Sequence, residues 1–253
     1  MALQMRSALL LAVAAVMGID AGSARADEVK VLAANAVKEP FLALAATFEK
    51  ATGHKVTASW SGTEGIAKRI MGGEVADVVL VGSASIDRLI QEGKLVPGSR
   101  ASFAKVGVGV AVRAGLPKPD ISSADGVRKA VLDAKSVAYS PGPSGQYIAE
   151  LFKRLGIAEQ VKDKLKLPPS NVLVGEVLAR GEADLGFQQI SDLLHVNGID
   201  YLGPLPSEIQ NITVYSAGLH SAAPAPDAAK ALMKSLTAPE AGPIIKKSGM
   251  EPG

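Results

Sequence analysis

The sequence contains no cysteine. That excludes disulfides, thiolate metal sites and a cysteine nucleophile. Histidine is almost as scarce. His54, His195 and His220 lie far apart with no ligand-like spacing, so neither a metal site nor a metal cofactor is expected. No sign of charge dominates: the formal net charge is +2. Neither nucleic acid nor an acidic membrane surface is therefore an expected partner. No apolar run reaches the roughly 18 residues that suggest a membrane-spanning helix, so no stable membrane insertion is expected. Catalytic signatures are missing too. Gly107-Val-Gly109 lacks the third glycine and following helix of a dinucleotide fingerprint. Gly142-Pro-Ser-Gly145 is not a nucleophile elbow, and no histidine partner can be assigned to Ser144. No internal repeat or low-complexity linker is present.

What is there is an ordinary globular composition, with 47% hydrophobic and 21% charged residues among 253. The N-terminus reads as an export signal. Arg6 supplies a positive region, Ala8–Met17 is a short apolar run, and Ala24-Arg25-Ala26 is a small-x-small cleavage site before Asp27. The expected mature chain runs from Asp27 to Gly253. It is exported to the periplasm, and a monomer is expected.

Further along, apolar runs alternate with helical patterns. Val29–Ala34 is strand-like, and Glu39–Ala51 carries Phe41, Leu42, Leu44, Ala45 and Phe48 at helical spacing before Gly53. His54–Trp60 alternates as a strand, and Glu64–Met71 is helical. Asp77–Val81 is a continuous apolar run suited to a parallel strand buried on both faces, and Ile86–Glu92 is again helical. Three β-turn-α units in a row imply a parallel sheet. Phe103–Arg113 is then a long strand-like run that leaves this first lobe. The second lobe holds a helix Ala124–Ala134, a strand Ser136–Tyr139 and helices Gln146–Leu155, Ala158–Leu165 and Asn171–Arg180. A strand Ala183–Gln188 and a strand-like Tyr201–Leu205 follow. Ile212–Leu219 returns, and helices Pro224–Leu236 and Pro239–Lys247 close the chain. The expected fold is α/β: two parallel-sheet lobes joined by two crossing strands, able to close about a hinge. The expected boundaries are 1–26 for the signal, 27–108 plus 214–253 for lobe 1, and 109–213 for lobe 2.

In open parallel sheets, ligands bind beyond the carboxyl ends of strands, where loops feed helix N-termini. Five such loops stand out: Asn35-Ala36, Ser61-Gly62-Thr63-Glu64, Gly82-Ser83, Pro143-Ser144-Gly145 and Gln188-Gln189-Ile190-Ser191. Four carry a serine or threonine, and none carries Lys or Arg at the turn. Unpaired N–H groups and partial positive charge at helix starts, together with hydroxyls, suit a small anionic ligand. Each position has a plainer alternative. The hydroxyls serve as N-caps, Gly145 serves only its turn, and Tyr147 packs in the core.

Three stretches carry a resemblance. They are Ala67-Lys-Arg-Ile with Gly73-Glu-Val-Ala-Asp77, Pro143-Ser-Gly-Gln-Tyr147, and Gly181-Glu-Ala-Asp-Leu-Gly186 with Ser191-Asp192. In this order the chain resembles the bacterial periplasmic solute-binding proteins of the molybdate-binding type, with the type II periplasmic-binding fold. The resemblance implies an ABC-type permease as partner. It also implies contact positions at Asn35 or Ala36, at Thr63, at Gly82-Ser83 and at Ser144-Gly145, with Gln189 where the family has tyrosine. Glu64 also departs from the pattern, because a carboxylate close to a tetrahedral dianion repels it. Pro117-Lys-Pro-Asp-Ile121 and Val137-Ala-Tyr-Ser140 resemble a branch that includes aconitate isomerase. That likeness implies a second possibility, a cofactor-free 1,3-proton shift with Glu64 or Tyr147 as the base.

Overall fold

The computed structural model describes residues 26–253. The expected signal peptide lies outside the described residues, apart from Ala26. The first units follow the apolar pattern closely. Strand β1 (Glu28–Ala34) leads through a short 3-10 turn to helix α1 (Lys38–Thr52). Phe41, Leu44, Ala45 and Phe48 fall on one stripe of α1 and are all buried. Gly53, at φ 78°, ends the helix in the left-handed conformation that favours glycine. Strand β2 (Lys55–Ser61), helix α2 (Thr63–Met71), strand β3 (Val78–Gly82) and helix α3 (Ser83–Gln91) complete three βα units. Every residue of β3 is buried, as its unbroken apolar run requires.

Strand β4 (Ala101–Arg113) is the pivot of the molecule. After it come α4 (Ala124–Asp133), β5 (Val137–Tyr139), α5 (Pro143–Arg154), α6 (Ala158–Val161) and β6 (Leu165–Lys166). Next are α7 (Val174–Ala179), β7 (Leu185–Gln189), α8 (Ile190–Leu193) and β8 (Ile199–Pro204). The chain then returns through β9 (Ile212–Leu219) to α9 (Pro226–Leu236), α10 (Gly242–Lys247) and β10 (Glu251–Pro252).

The strand order is β2-β1-β3-β9-β4-β7-β5-β6, with β8 and β10 also pairing with β4. The first part of β4, Ala101 to Gly107, pairs with β9, and its second part, Val108 to Val112, pairs with β7. One strand thus belongs to both lobes. The buried apolar side chains divide at the same place. One cluster draws on Val29 to Val106 and Tyr215 to Met250, a second on Val108 to Ile209, and a third on Ala111 to Leu193.

Each lobe is a mixed sheet rather than a purely parallel one. β1, β2 and β3 pair in parallel, as do β5, β6 and β7, while β9 and β4 run antiparallel to their neighbours. The reason is the crossing itself: strands that leave and re-enter a lobe meet its sheet in opposite senses. Several helices are shorter than expected, among them two in the second lobe. The one beginning at Ala158 stops at Val161, and Leu165–Lys166 pairs with β5 instead. Lys164 draws the chain there by donating to the carbonyls of Leu132 and Ala134 at 2.6 and 2.7 Å, the exposed end of α4. The helix expected from Asn171 begins only at Val174.

Candidate functional site

The ends of β1, β2, β5 and β7 converge on one small cavity of about 30 Å³ between the lobes. Lobe 1 contributes Asn35 and Ala36, which follow β1, and Gly62, Thr63 and Glu64, which open α2. The second lobe contributes Ser140, Pro143 and Ser144 at the start of α5, Ser170 from a loop, and Gln188 and Gln189 at the end of β7. Asp192 of α8 and Tyr215 of β9 complete the wall. None of the lining residues is Lys or Arg.

Local chemistry explains how the wall is held. Pro143 occupies the first turn of α5, where its missing N–H costs nothing. The helix therefore begins three residues earlier than its apolar periodicity indicates. Ser144 and Gly145 lie in its first turn, where N–H groups have no intrahelical acceptor. Ser144 is buried and its hydroxyl sits 3.1 Å from that of Ser140. Thr63 is also buried, and its Oγ1 accepts from the Gly82 N–H at 3.3 Å. Gln188 Oε1 accepts from the Val174 N–H at 2.7 Å, and Gln189 Nε2 donates to Thr213 Oγ1 at 2.8 Å. Among the described residues, Gln189 Oε1 and Ser191 Oγ are buried without a hydrogen-bond partner.

Asp192 is the electrostatic centre of the site. It is 9% exposed, and burial pushes its carboxyl up to about 7 against the opposing effect of the nearby Gln188 amide. Burial also pushes the Tyr215 phenol up, and the Asp192 charge pushes the same way. The polar side chains of Gln189 and Thr63 act in the other direction.

Of the positions expected from sequence, Asn35, Ala36, Thr63, Glu64, Ser144, Gln188 and Gln189 meet at this cavity. The others do not line it. Gly82 and Ser83 line a neighbouring groove of about 460 Å³ that shares Glu64 and Pro143 with the cavity. The Ser83 hydroxyl is already occupied by the Val214 carbonyl at 2.9 Å and Ser216 Oγ at 2.7 Å. Gly145 lies behind the wall, where its Cα faces the Ser140 carbonyl. Tyr147 points away: its hydroxyl donates to the Ile209 carbonyl at 2.6 Å and accepts from Arg154 at 2.7 Å. It is not placed to act as a base in the cavity. Glu64 stands at the mouth, its side chain 35% exposed and 3.4 Å from the Arg88 guanidinium.

Asp192, Tyr215 and Ser140 were not among the expected site residues. Ser191-Asp192 reads in sequence as a mark of the resemblance and not as a site, and Tyr215 only as part of a strand. Among the described residues, no three His, Asp or Glu side chains converge as a metal set, and no helix is long and apolar enough to cross a membrane.

Residues 29–251 match the family model described as bacterial extracellular solute-binding protein. The chain is 37% identical over 228 residues to an aconitate isomerase of Pseudomonas sp, covering 88% of this chain and 87% of that protein. It is 32% identical over 250 residues to the molybdate-binding protein ModA of Azotobacter vinelandii, covering 94% and 96%. Among solved structures, the periplasmic molybdate-binding protein of Azotobacter vinelandii superposes with a TM-score of 0.75. That match is 24% identical and covers 88% of this chain and 98% of the other.

Proposed function

The chain belongs to the bacterial extracellular solute-binding proteins, and from that premise we propose that it binds a small oxyanion or organic carboxylate between its lobes. In this reading it works in the periplasm, after loss of residues 1–26, and hands its ligand to an ABC-type permease. The lobes are taken as 27–108 with 214–253, and 109–213. One observation carries the reading: the starts of α2 and α5, from different lobes, open onto a single cavity lined by hydroxyls. Two helix N-termini supply N–H donors and partial positive charge to an anion with no side-chain cation needed. The likeness to the molybdate-binding relative supports the same class of ligand.

A second reading is a cofactor-free isomerase acting on aconitate. It is favoured by the 37% identical relative and by Asp192, a carboxyl near neutrality inside the cavity. A 1,3-proton shift removes a proton from a methylene carbon, moves the double bond and returns a proton at the other end. A group that titrates near 7 both takes and gives that proton. Asp192 then joins Glu64 as a candidate base, and Tyr147 drops out because its hydroxyl is engaged elsewhere.

The test is a melting-shift screen of purified mature protein with molybdate, sulfate and cis- and trans-aconitate, beside an ultraviolet assay for interconversion of the two aconitates. Ligand at a hundred times its Kd stabilises by about 2.7 kcal/mol, a rise of roughly 5–10 °C for a chain of this size. A shift without interconversion leaves the binding reading standing alone. Interconversion establishes the second, and no shift with any anion overturns both.

A further inference from the structure

We propose that Asp192 determines which anions the interlobe site accepts, by meeting the bound anion through one shared proton. The site then favours anions that carry their own O–H over fully ionised ones of equal charge. This deepens the solute-binding reading and rests on it.

The argument begins with the inventory of the cavity. Asp192 is more than nine-tenths buried and lines it, and no Lys or Arg does. In the cavity wall Glu64 of α2 is the other carboxylate and Tyr215 of β9 the other titratable group, and the remaining polar lining is amides and hydroxyls. A neighbouring groove shares Asp192 and brings Lys38, Glu39, Glu176 and His195 to its other side. None of the four lines the cavity itself. No ion pair involving Asp192 occurs among the described residues.

The space is small as well as uncharged. The cavity, about 30 Å³, is a narrow space between the lobes. An anion held at the starts of α2 and α5 shares this narrow space with Asp192, which is part of its wall. A carboxylate oxygen and an anion oxygen are both acceptors, and neither relieves the other without a proton between them. Gln189 Oε1, buried and unpartnered, is a further acceptor in the same wall. The hydroxyls and N–H groups of the wall can serve the anion's other oxygens, but an oxygen that meets Asp192 needs a proton between the two.

The field of the backbone points the same way. The starts of α2 and α5 together supply about one positive charge. An ionised Asp192 cancels that charge, and a neutral one leaves it intact. The raised ionisation range of Asp192 near neutrality fits a group held in this balance.

The proton has two possible sources, and both balance. An anion with an O–H donates it to the Asp192 carboxylate. An anion without one binds the protonated form of Asp192, so above about pH 7 each binding event takes one proton from solvent and well below it takes none. Hydrogen phosphate and sulfate at pH 8 separate the two, since both are dianions and only the first carries a proton.

The experiment is titration calorimetry on the mature protein with hydrogen phosphate, sulfate, molybdate and trans-aconitate at pH 6, 7, 8 and 9. Wild type and Asp192→Asn are compared, in buffers of differing ionisation heat. The expected wild-type result is at least tenfold tighter binding of hydrogen phosphate than of sulfate at pH 8. Affinity for sulfate and molybdate falls by about tenfold per pH unit above about 7, with uptake of one proton. In Asp192→Asn the slope is flat and the preference is gone, because the amide donates at every pH. Wild-type affinities for sulfate and molybdate that are flat from pH 6 to 9, with no proton uptake, overturn the proposal even if the variant fails to fold. So does a variant that keeps the wild-type slope. If none of the four anions binds or shifts melting, the small-anion reading itself fails and the proposal falls with it.

Discussion

Replacing Gly62 by alanine tests whether the two lobes must close on each other to hold a ligand. Gly62 sits at φ −67° and ψ 158°, a conformation open to any residue. Inside its own lobe the substitution therefore costs nothing in backbone strain. A Cβ at this position would lie 2.8 Å from the Ser170 carbonyl oxygen and 3.3 Å from the Ser170 Cβ. The three nearest atoms all belong to Ser170, which comes from the second lobe. The Gly62 N–H also donates to that carbonyl at 2.6 Å. The new methyl group pushes against the contact that joins the lobes. Overpacking of this kind costs about 1–3 kcal/mol, and a displaced hydrogen bond adds about 0.5–1.5 kcal/mol. The sum, about 1.5–4.5 kcal/mol, weakens ligand binding by roughly tenfold to a thousandfold. Melting of the ligand-free protein should hold or rise slightly, because alanine restricts the unfolded chain more than glycine does. Calorimetry with whichever anion binds, beside a ligand-free melt, separates the two effects. Gly62→Ala affinity within twofold of wild type would refute the idea that closure at Ser170 supports binding.

Gly145→Ala should do the opposite, damaging the fold of one lobe. Its Cβ would fall on the Ser140 carbonyl oxygen and 2.6 Å from that carbonyl carbon, with the Tyr139 ring at 3.0 Å. The loss of about 2–3 kcal/mol or more lowers the ligand-free melting temperature by roughly 5–10 °C, and an unchanged melt would contradict it. Tyr147→Phe removes a hydroxyl that bonds Ile209 and Arg154 outside the cavity. It should lower stability by about 1 kcal/mol and leave anion affinity within twofold. A tenfold loss in affinity would return Tyr147 to the site. The hydrogen bond from Arg69, the largest influence, holds the Glu74 carboxyl well below its usual range, at about 2. Because its folded value is depressed, Glu74 contributes stability that is present above about 4.5 and lost as pH falls toward 2. Glu74→Gln should flatten the fall of melting temperature with pH across that window, and an unchanged slope would show that the ion pair contributes nothing.

The architecture was legible because it is written locally. The apolar stripe of α1, the unbroken run of β3 and the glycine after α1 need no knowledge of distant residues. The long run ending at Arg113 announced a strand shared by two lobes, and β4 is that strand. The sense of the pairing was less visible. Whether a returning strand runs parallel or antiparallel depends on where the intervening chain leaves it. The residues of β9 are the same either way.

The site was half legible for a related reason. Adjacency in sequence identifies the turn that reaches a cavity, while rotation within the element decides which side chain enters it. Thr63 and Glu64 are neighbours, yet successive residues of α2 are turned by about 100°. Thr63 is 2% exposed and Glu64 sits at the mouth with its side chain 35% exposed. Tyr147, three residues beyond Ser144 on α5, lies almost a full turn further along the helix, and its hydroxyl reaches Ile209 instead of the cavity. Asp192 and Tyr215 escaped although both have polar neighbours, because neither residue falls on one of the five turns that follow the strands. Each is chemically significant only through the other and through the lobe opposite. A helix of four residues and a strand that returns after the whole second lobe bring them together. An aspartate in a short helix reads as an ordinary first-turn acid until the structure shows that no cation faces it across the cavity. Burial without a counter-charge is a property of the assembled site, and it sets the ionisation of Asp192 near neutrality. The residue on which anion selectivity is proposed to rest is therefore one whose chemistry exists only after folding.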